Sequence, residues 1–171
     1  QIRENIQIRR FTRMEGTLVS YIHGEGRIGV LVKLDTDLGD KAYACGKDCA
    51  LQIAAMNPAY LDRTKVPADV LENEKTIMTA QMHEDPKMAN KPAAVIEKII
   101  EGKIGKYYSE NCLVDQEFVK DGDYTVGKYV EKCAKELGGT IKIADYVRYE
   151  RGEGIAKKSD NFADEVASMI K

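Results

Sequence analysis

Gly24-Glu25-Gly26-Arg27-Ile28-Gly29 spells a G-x-G-x-x-G, and the residues on either side of it decide what the glycines can do. Leu18 to Ile22 and Ile28 to Leu34 are both runs of aliphatic and β-branched residues, the composition of strands. A dinucleotide fingerprint needs a strand that runs into a helix, whose first amides hold the pyrophosphate. Here the glycines join strand to strand, so a hairpin turn is expected, with no direct nucleotide binding. Ile6, Ile8 and Phe11, then Leu18 and Ile22, alternate with polar residues, and the first third of the chain reads as an antiparallel meander.

One face of that meander needs a cover. Ala42, Cys45, Cys49, Ile53 and Met56 recur at three- and four-residue steps, which predicts a helix from Lys41 to Met56, and the alanines between them allow close packing on a sheet. Asn57-Pro58 ends it, because the residue before proline is pushed out of the helical region. Pro67 opens a second helix, whose stripe of Val70, Leu71, Ile77, Met78 and Met82 continues to Glu84 before Asp85-Pro86 stops it. After Lys91-Pro92, a third helix carries Val95, Ile96, Ile99, Ile100, Ile104 and Tyr107 on one side. Gly102 and Gly105 weaken its last turns by roughly 1 kcal/mol each relative to alanine. Two helices of about 18 residues would form an antiparallel hairpin roughly 27 Å long. Its stripe, with Val70, Ile77, Ile96, Ile99, Ile100 and Ile104, serves either as hairpin core or as a dimerisation surface, since two such hairpins make a four-helix bundle.

Ser109 to Asp123 reads as irregular. A fourth helix spans Val126 to Leu137, with Thr125 as its N-cap and Gly138-Gly139 as its stop. Ile141, Ile143 and Tyr146 to Tyr149 predict a strand, irregular at its centre, that ends at Gly152-Glu153-Gly154. Phe162, Val166 and Met169 give Asp160 to Lys171 the spacing of a short amphipathic helix. The expected class is α+β: an antiparallel sheet packed with helices and an inserted antiparallel helical hairpin. Residues 1–62 and 109–155 form the core, 63–108 the hairpin, and 156–171 a short C-terminal helix module.

Composition narrows the function. With 26 Lys and Arg against 28 Asp and Glu, the net charge of -2 gives no basic excess of the kind that nucleic-acid binding needs. No apolar run approaches the roughly 20 residues that span a bilayer, and Gln1-Ile2-Arg3-Glu4 lacks the layout of a signal peptide, so neither nucleic acid nor membrane is an expected partner. The opening at Gln1 reads as part of a longer chain. Cys45, Cys49, Cys112 and Cys133 are irregularly spaced, which fits buried reduced thiols and a cytoplasmic protein better than a disulfide scaffold or a metal site.

Chemistry-bearing motifs are few. Gly122-Asp123-Tyr124-Thr125-Val126-Gly127-Lys128 follows the P-loop pattern, but Tyr129 stands where a hydroxyl should ligate Mg²⁺, and a turn with a capping Thr125 uses the same residues. Neither His23 nor His83 lies in a local sequence that marks a catalytic triad; His83 reads as a favourable cation at a helix end. Asp35, Asp37, Asp40 and Asp48 read as a polar loop and helix start. No catalytic residue, metal ligand or cofactor is expected. His23-Gly24, at the tip of a hairpin, is either solvated or a recognition point, where an imidazole offers a donor and an acceptor.

Several segments together resemble the C-terminal half of bacterial elongation factor Ts. They begin with Glu4-Asn5-Ile6-x-Ile8-Arg9-Arg10, Tyr21-x-His23-Gly24 and Arg27-Ile28-Gly29-Val30-Leu31-Val32, and continue with Ile53-Ala54-Ala55-Met56-x-Pro58-x-Tyr60-Leu61. Lys91-Pro92 to Tyr107 and Leu113-x-Asp115-Gln116-x-Phe118-Val119 follow. The last are Thr125-Val126-Gly127, Arg148-Tyr149-x-x-Gly152-Glu153-Gly154-Ile155 and Phe162-Ala163-x-Glu165-Val166-Ala167. The resemblance implies a cytoplasmic translation factor that binds elongation factor Tu and promotes GDP release without covalent chemistry. By similarity it places the partner contact at His23, Gly24, Phe118, Val119 and Lys120, with Phe118 and Val119 as apolar anchors, and dimerisation on the hairpin. The family's N-terminal helical domain and its Thr-Asp-Phe-Val motif have no counterpart in these residues. The competing reading is an α+β dimerisation or interaction module with no exchange role.

Overall fold

The computed structural model describes residues 8–85 and 91–155. Thr17–His23 (β1) and Ile28–Thr36 (β2) form an antiparallel hairpin, and Ile141–Glu150 (β5) pairs antiparallel with the other edge of β2, giving the order β1-β2-β5. Side chains alternate across a strand, so Val19, Val30, Val32, Leu34, Ile141 and Ile143 bury together on one face. Helix α1 (Tyr43–Met56) lies on that face and brings in Cys45, Cys49, Ala50 and Ile53. The register between β2 and β5 slips where Lys33 faces Asp145 and Leu34 faces Ile143, which is the irregularity expected at the strand's centre.

The expected meander is half right. The hairpin forms, but residues 8–15 adopt no strand, and Ile8 is 84% exposed. The outer edge of β1, where a meander would place this segment, takes no strand among the described residues, and the arginines hold the segment to the turn that follows β5 instead. Arg9 donates to the carbonyls of Glu153 (2.7 Å) and Gly154 (2.8 Å), and Arg10 pairs with Glu153 while its guanidinium lies 4.5 Å from the ring centre of Tyr149. Ile6 lies outside the described residues, as do Pro86 and the helix expected over 160–171.

Helix α1 ends at Asn57, in the left-handed conformation (φ 46°), with its N–H bonded to the carbonyl of Ile53. Asn is one of the few residues that tolerate this conformation. Met56, the last residue of the helix, is exposed and does not join the core stripe.

Helices α2 (Ala68–Glu84) and α3 (Ala93–Asn111) pack against each other, each preceded by a proline at its cap position. His83 lies in the last turn of α2. The two helices leave and rejoin the core side by side. Tyr60 and Cys112 form a parallel bridge, the N–H of Leu113 donates to Tyr60 O (2.9 Å), and that of Val114 to Leu61 O (3.2 Å). Arg63 clamps this base, with Nη2 2.6 Å from Asp115 Oδ1 and its guanidinium 5.0 Å from the ring centre of Tyr108. Within the pair Ile104 is buried, Val70, Ile96, Ile99 and Ile100 are half-buried, and Ile77 is 42% exposed.

Residues 109–123 are more ordered than their sequence indicated. After α3 reaches Asn111, a 3-10 turn at Leu113–Asp115 leads into a small hairpin of Glu117–Phe118 (β3) and Asp121–Thr125 (β4). Such short strands, with a shifted register, leave no periodicity to read. Helix α4 (Val126–Leu137) has the expected limits: Thr125 Oγ1 accepts from the N–H of Lys128 (3.4 Å), and Gly138 closes it in the left-handed region. Thr125→Ala is expected to cost about 1 kcal/mol, readable as a lower urea midpoint at unchanged m-value.

Candidate functional site: a groove between two loop tips

The β1–β2 turn runs through Gly24, Glu25 and Gly26, all at positive φ (56°, 54° and 83°), and the N–H of Arg27 closes it on the carbonyls of His23 and Gly24, 3.0 Å from each. Gly24 and Gly26 occupy a conformation that side chains rarely adopt, which is the reason for the G-x-G. His23, the last residue of β1, stands exposed beside this turn.

Facing it is the β3–β4 tip, Val119-Lys120. Its position is set from below by Gln52 of α1, a fully buried glutamine. Gln52 Oε1 accepts from the N–H of Val119 (2.9 Å), and its Nε2 donates to the carbonyl of Glu117 (3.1 Å) and to Oε1 of Gln116 (3.2 Å). A buried amide satisfied on both ends fixes a backbone far more tightly than apolar packing does, because any displacement strands polar atoms in the core. Asp48, one turn earlier on α1, pairs with Lys120 and accepts from the hydroxyl of Tyr129 (2.5 Å). Burial, with that bond to Asp48, pushes the Tyr129 hydroxyl well above the usual range of tyrosine, so it stays a donor.

Between the two tips lies a groove of about 580 Å³. Ile28, Leu51, Ala54, Ala55 and Val119 make its apolar lining, and His23, Arg27 and Lys120 its polar rim. Four residues singled out in the sequence, His23, Gly24, Val119 and Lys120, therefore converge from opposite ends of the core. Phe118 does not join them as an exposed anchor. Its side chain is 2% exposed and stacks on Tyr129, ring centres 4.1 Å apart, so it secures the tip from inside while Val119, 50% exposed, is the apolar surface.

The sequence passed over Gln52 and placed Asp48 in a polar loop and helix start, whereas Asp48 lies within α1 and holds Lys120 and Tyr129. The one available signal was Gln52 itself, a polar residue set among Cys45, Cys49 and Ile53 on the inward stripe of α1.

The other motifs resolve structurally. A Cβ on Gly127 would lie 3.1 Å from the carbonyl oxygen of Val114, and the carboxylate of Glu117 packs against Gly122, where a P-loop would admit phosphate. Thiols are held in the protonated form: burial pushes Cys112 and Cys133 up to about 11, and Cys45 rises further through its contact with Cys49. No group of three or more His, Cys, Asp or Glu side chains converges as a metal site among the described residues.

Fold and groove together define an α+β unit that offers an apolar cleft rimmed by hydrogen-bond donors. The family model described as Elongation factor TS matches residues 1–153, and the chain belongs to the elongation factor Ts family. It is 49% identical over 172 residues to the elongation factor Ts of Clostridium acetobutylicum, covering 98% of this chain and 55% of that protein. It is 48% identical to that of Clostridium botulinum strain Langeland, covering 98% of this chain and 54% of the relative. The elongation factor Ts of Syntrophotalea carbinolica is also 48% identical, over 99% of this chain and 56% of its own length. The chain thus spans about half the length of the curated relatives it matches. Among the described residues, no helix is long and apolar enough to cross a membrane.

Proposed function

We propose that this chain is the elongation factor Tu-binding and dimerisation portion of a cytoplasmic guanine-nucleotide exchange factor, and that the groove between the His23 and Val119 tips is its contact with elongation factor Tu. The observation that carries the reading is the convergence of these distant tips on one apolar cleft, held by a buried hydrogen-bond network. Exchange of this kind is a coupling free energy. A partner that binds nucleotide-free elongation factor Tu more tightly than the GDP form lowers GDP affinity by the same factor. Nothing in that scheme requires the chain itself to touch nucleotide, nucleic acid or lipid. Release of GDP is assigned to the longer parent, and this portion supplies affinity.

Interfaces draw most of their energy from a few residues near the centre. Val119→Asp places a charge on the apolar lining and is expected to weaken binding to nucleotide-free elongation factor Tu at least about tenfold. The thermal midpoint should not move, because the side chain is half exposed. Unchanged affinity for Val119→Asp would remove the groove from the interface.

The α2–α3 pair is the proposed dimerisation surface, supported by the exposure of Ile77 and Val95 on it. Ile99→Glu should shift a dimer to monomer in sedimentation equilibrium while leaving binding through the groove intact. A dimer that survives both Ile99→Glu and Ile77→Glu would place self-association elsewhere.

A further inference from the structure

Tyr21 and His23 lie on the same face of β1, which α1 covers further along, and the hydroxyl of Tyr21 stands 2.9 Å from Nδ1 of His23. The Tyr21 ring is fixed before it reaches the histidine. It pairs in register with Val30 of β2, and the ammonium of Lys47 on α1 lies 4.8 Å from its ring centre, a cation–π contact. His23, by contrast, is exposed, and the contact with Tyr21 is its side-chain hydrogen bond among the described residues.

Between a phenol and a neutral imidazole, the phenol is the better donor and the bare ring nitrogen the stronger acceptor, so the Tyr21 O–H donates to Nδ1. The partner of one ring nitrogen settles the state of the other. With Nδ1 accepting, the proton resides on Nε2, at the far edge of the ring. Arg27 and Lys120, the other donors on the rim, are already paired with Glu150 and Asp48. Each of them keeps further N–H groups, so His23 Nε2–H is the neutral, oriented donor on a rim whose other side-chain donors are charged.

We infer that Tyr21 is a positioning residue for the groove: it orients His23 with Nε2–H outward, so that the site takes a protein segment presenting an oxygen acceptor to His23 beside an apolar side chain seated against Ile28, Leu51 and Val119. This rests on the reading of the groove as the partner contact. It adds to that reading a polar requirement and the residue that enforces it.

Tyr21→Phe keeps the ring and its contact with Lys47 and removes only the hydroxyl. In the free chain, ¹⁵N NMR of His23 should show Nε2 protonated and Nδ1 as a hydrogen-bonded acceptor, with the Nδ1 signal moving in Tyr21→Phe. Against nucleotide-free elongation factor Tu, Tyr21→Phe should weaken binding about 3- to 10-fold, the worth of one neutral hydrogen bond. Combined with His23→Ala, it should add nothing, because it acts through that histidine. A proton on Nδ1, an Nδ1 signal indifferent to Tyr21→Phe, or a full additive loss in the double variant would each overturn the inference. If the NMR signature holds but the unmodified chain binds no elongation factor Tu, the partner reading fails and takes the recognition role of Tyr21 with it, leaving only the hydrogen bond.

Discussion

Gln52→Ala is expected to lower stability by about 3–4 kcal/mol and to release the β3–β4 tip. Truncation strands the N–H of Val119, the carbonyl of Glu117 and the side chain of Gln116, each within hydrogen-bond reach of the lost amide. Leaving a buried polar group unsatisfied costs about 1–3 kcal/mol, and the space left by the side chain adds a cavity term. For a chain of this size, that corresponds to a fall of roughly 10 °C in thermal midpoint. Gln52→Met separates the two contributions: it restores most of the volume without the hydrogen bonds, and most of the loss should persist. If Gln52→Met were as stable as the parent chain, the amide network would be incidental and the placement of Val119 would need another cause.

The second large effect is expected at Gly46, where α1 meets the sheet. A Cβ there would lie 2.6 Å from Cγ2 of Val19 and 2.9 Å from Cδ1 of Leu34. Both neighbours belong to the buried face, with Val19 1% and Leu34 3% exposed, so neither has room to retreat. Gly46→Val adds two methyl groups beyond that Cβ and should cost at least about 3 kcal/mol, the upper end of ordinary overpacking. The better helix propensity of valine over glycine returns only a few tenths. Urea unfolding checks this directly, through a much lower midpoint. Because α1 carries both Gln52 and the groove's alanines, lifting it from the sheet should also weaken partner binding. An unchanged midpoint would mean that the helix stands further from the sheet than described.

These two positions show where sequence is legible and where it is not. The hairpin, α1 and α4 could be read because periodicity, glycine and capping residues act locally. Thr125 and Gly138 mark the ends of α4 through bonds to residues within one turn. The place of residues 8–15 could not be read locally: Ile8 and Phe11 alternate much as a strand does, and only the distant turn after β5, whose carbonyls and carboxylate take Arg9 and Arg10, draws them away from the edge of β1. The site divides in the same way. His23 was marked by its position at a turn and by resemblance, and Val119 by resemblance alone, whereas the inward direction of Phe118 depends on Tyr129, which reaches it only after folding. Gln52 offered only the faint signal of one polar residue on an inward stripe, and Tyr21 none, because a single aromatic in a strand carries no pattern. Their roles arise from what the tertiary structure puts opposite them.

The most direct measurement is a calorimetric titration of this chain into nucleotide-free elongation factor Tu. Saturable binding with one chain per elongation factor Tu is expected, weakened by Val119→Asp without loss of folding. Absence of detectable heat at several temperatures, from a chain shown to be folded, would contradict the claim that this portion carries the partner contact.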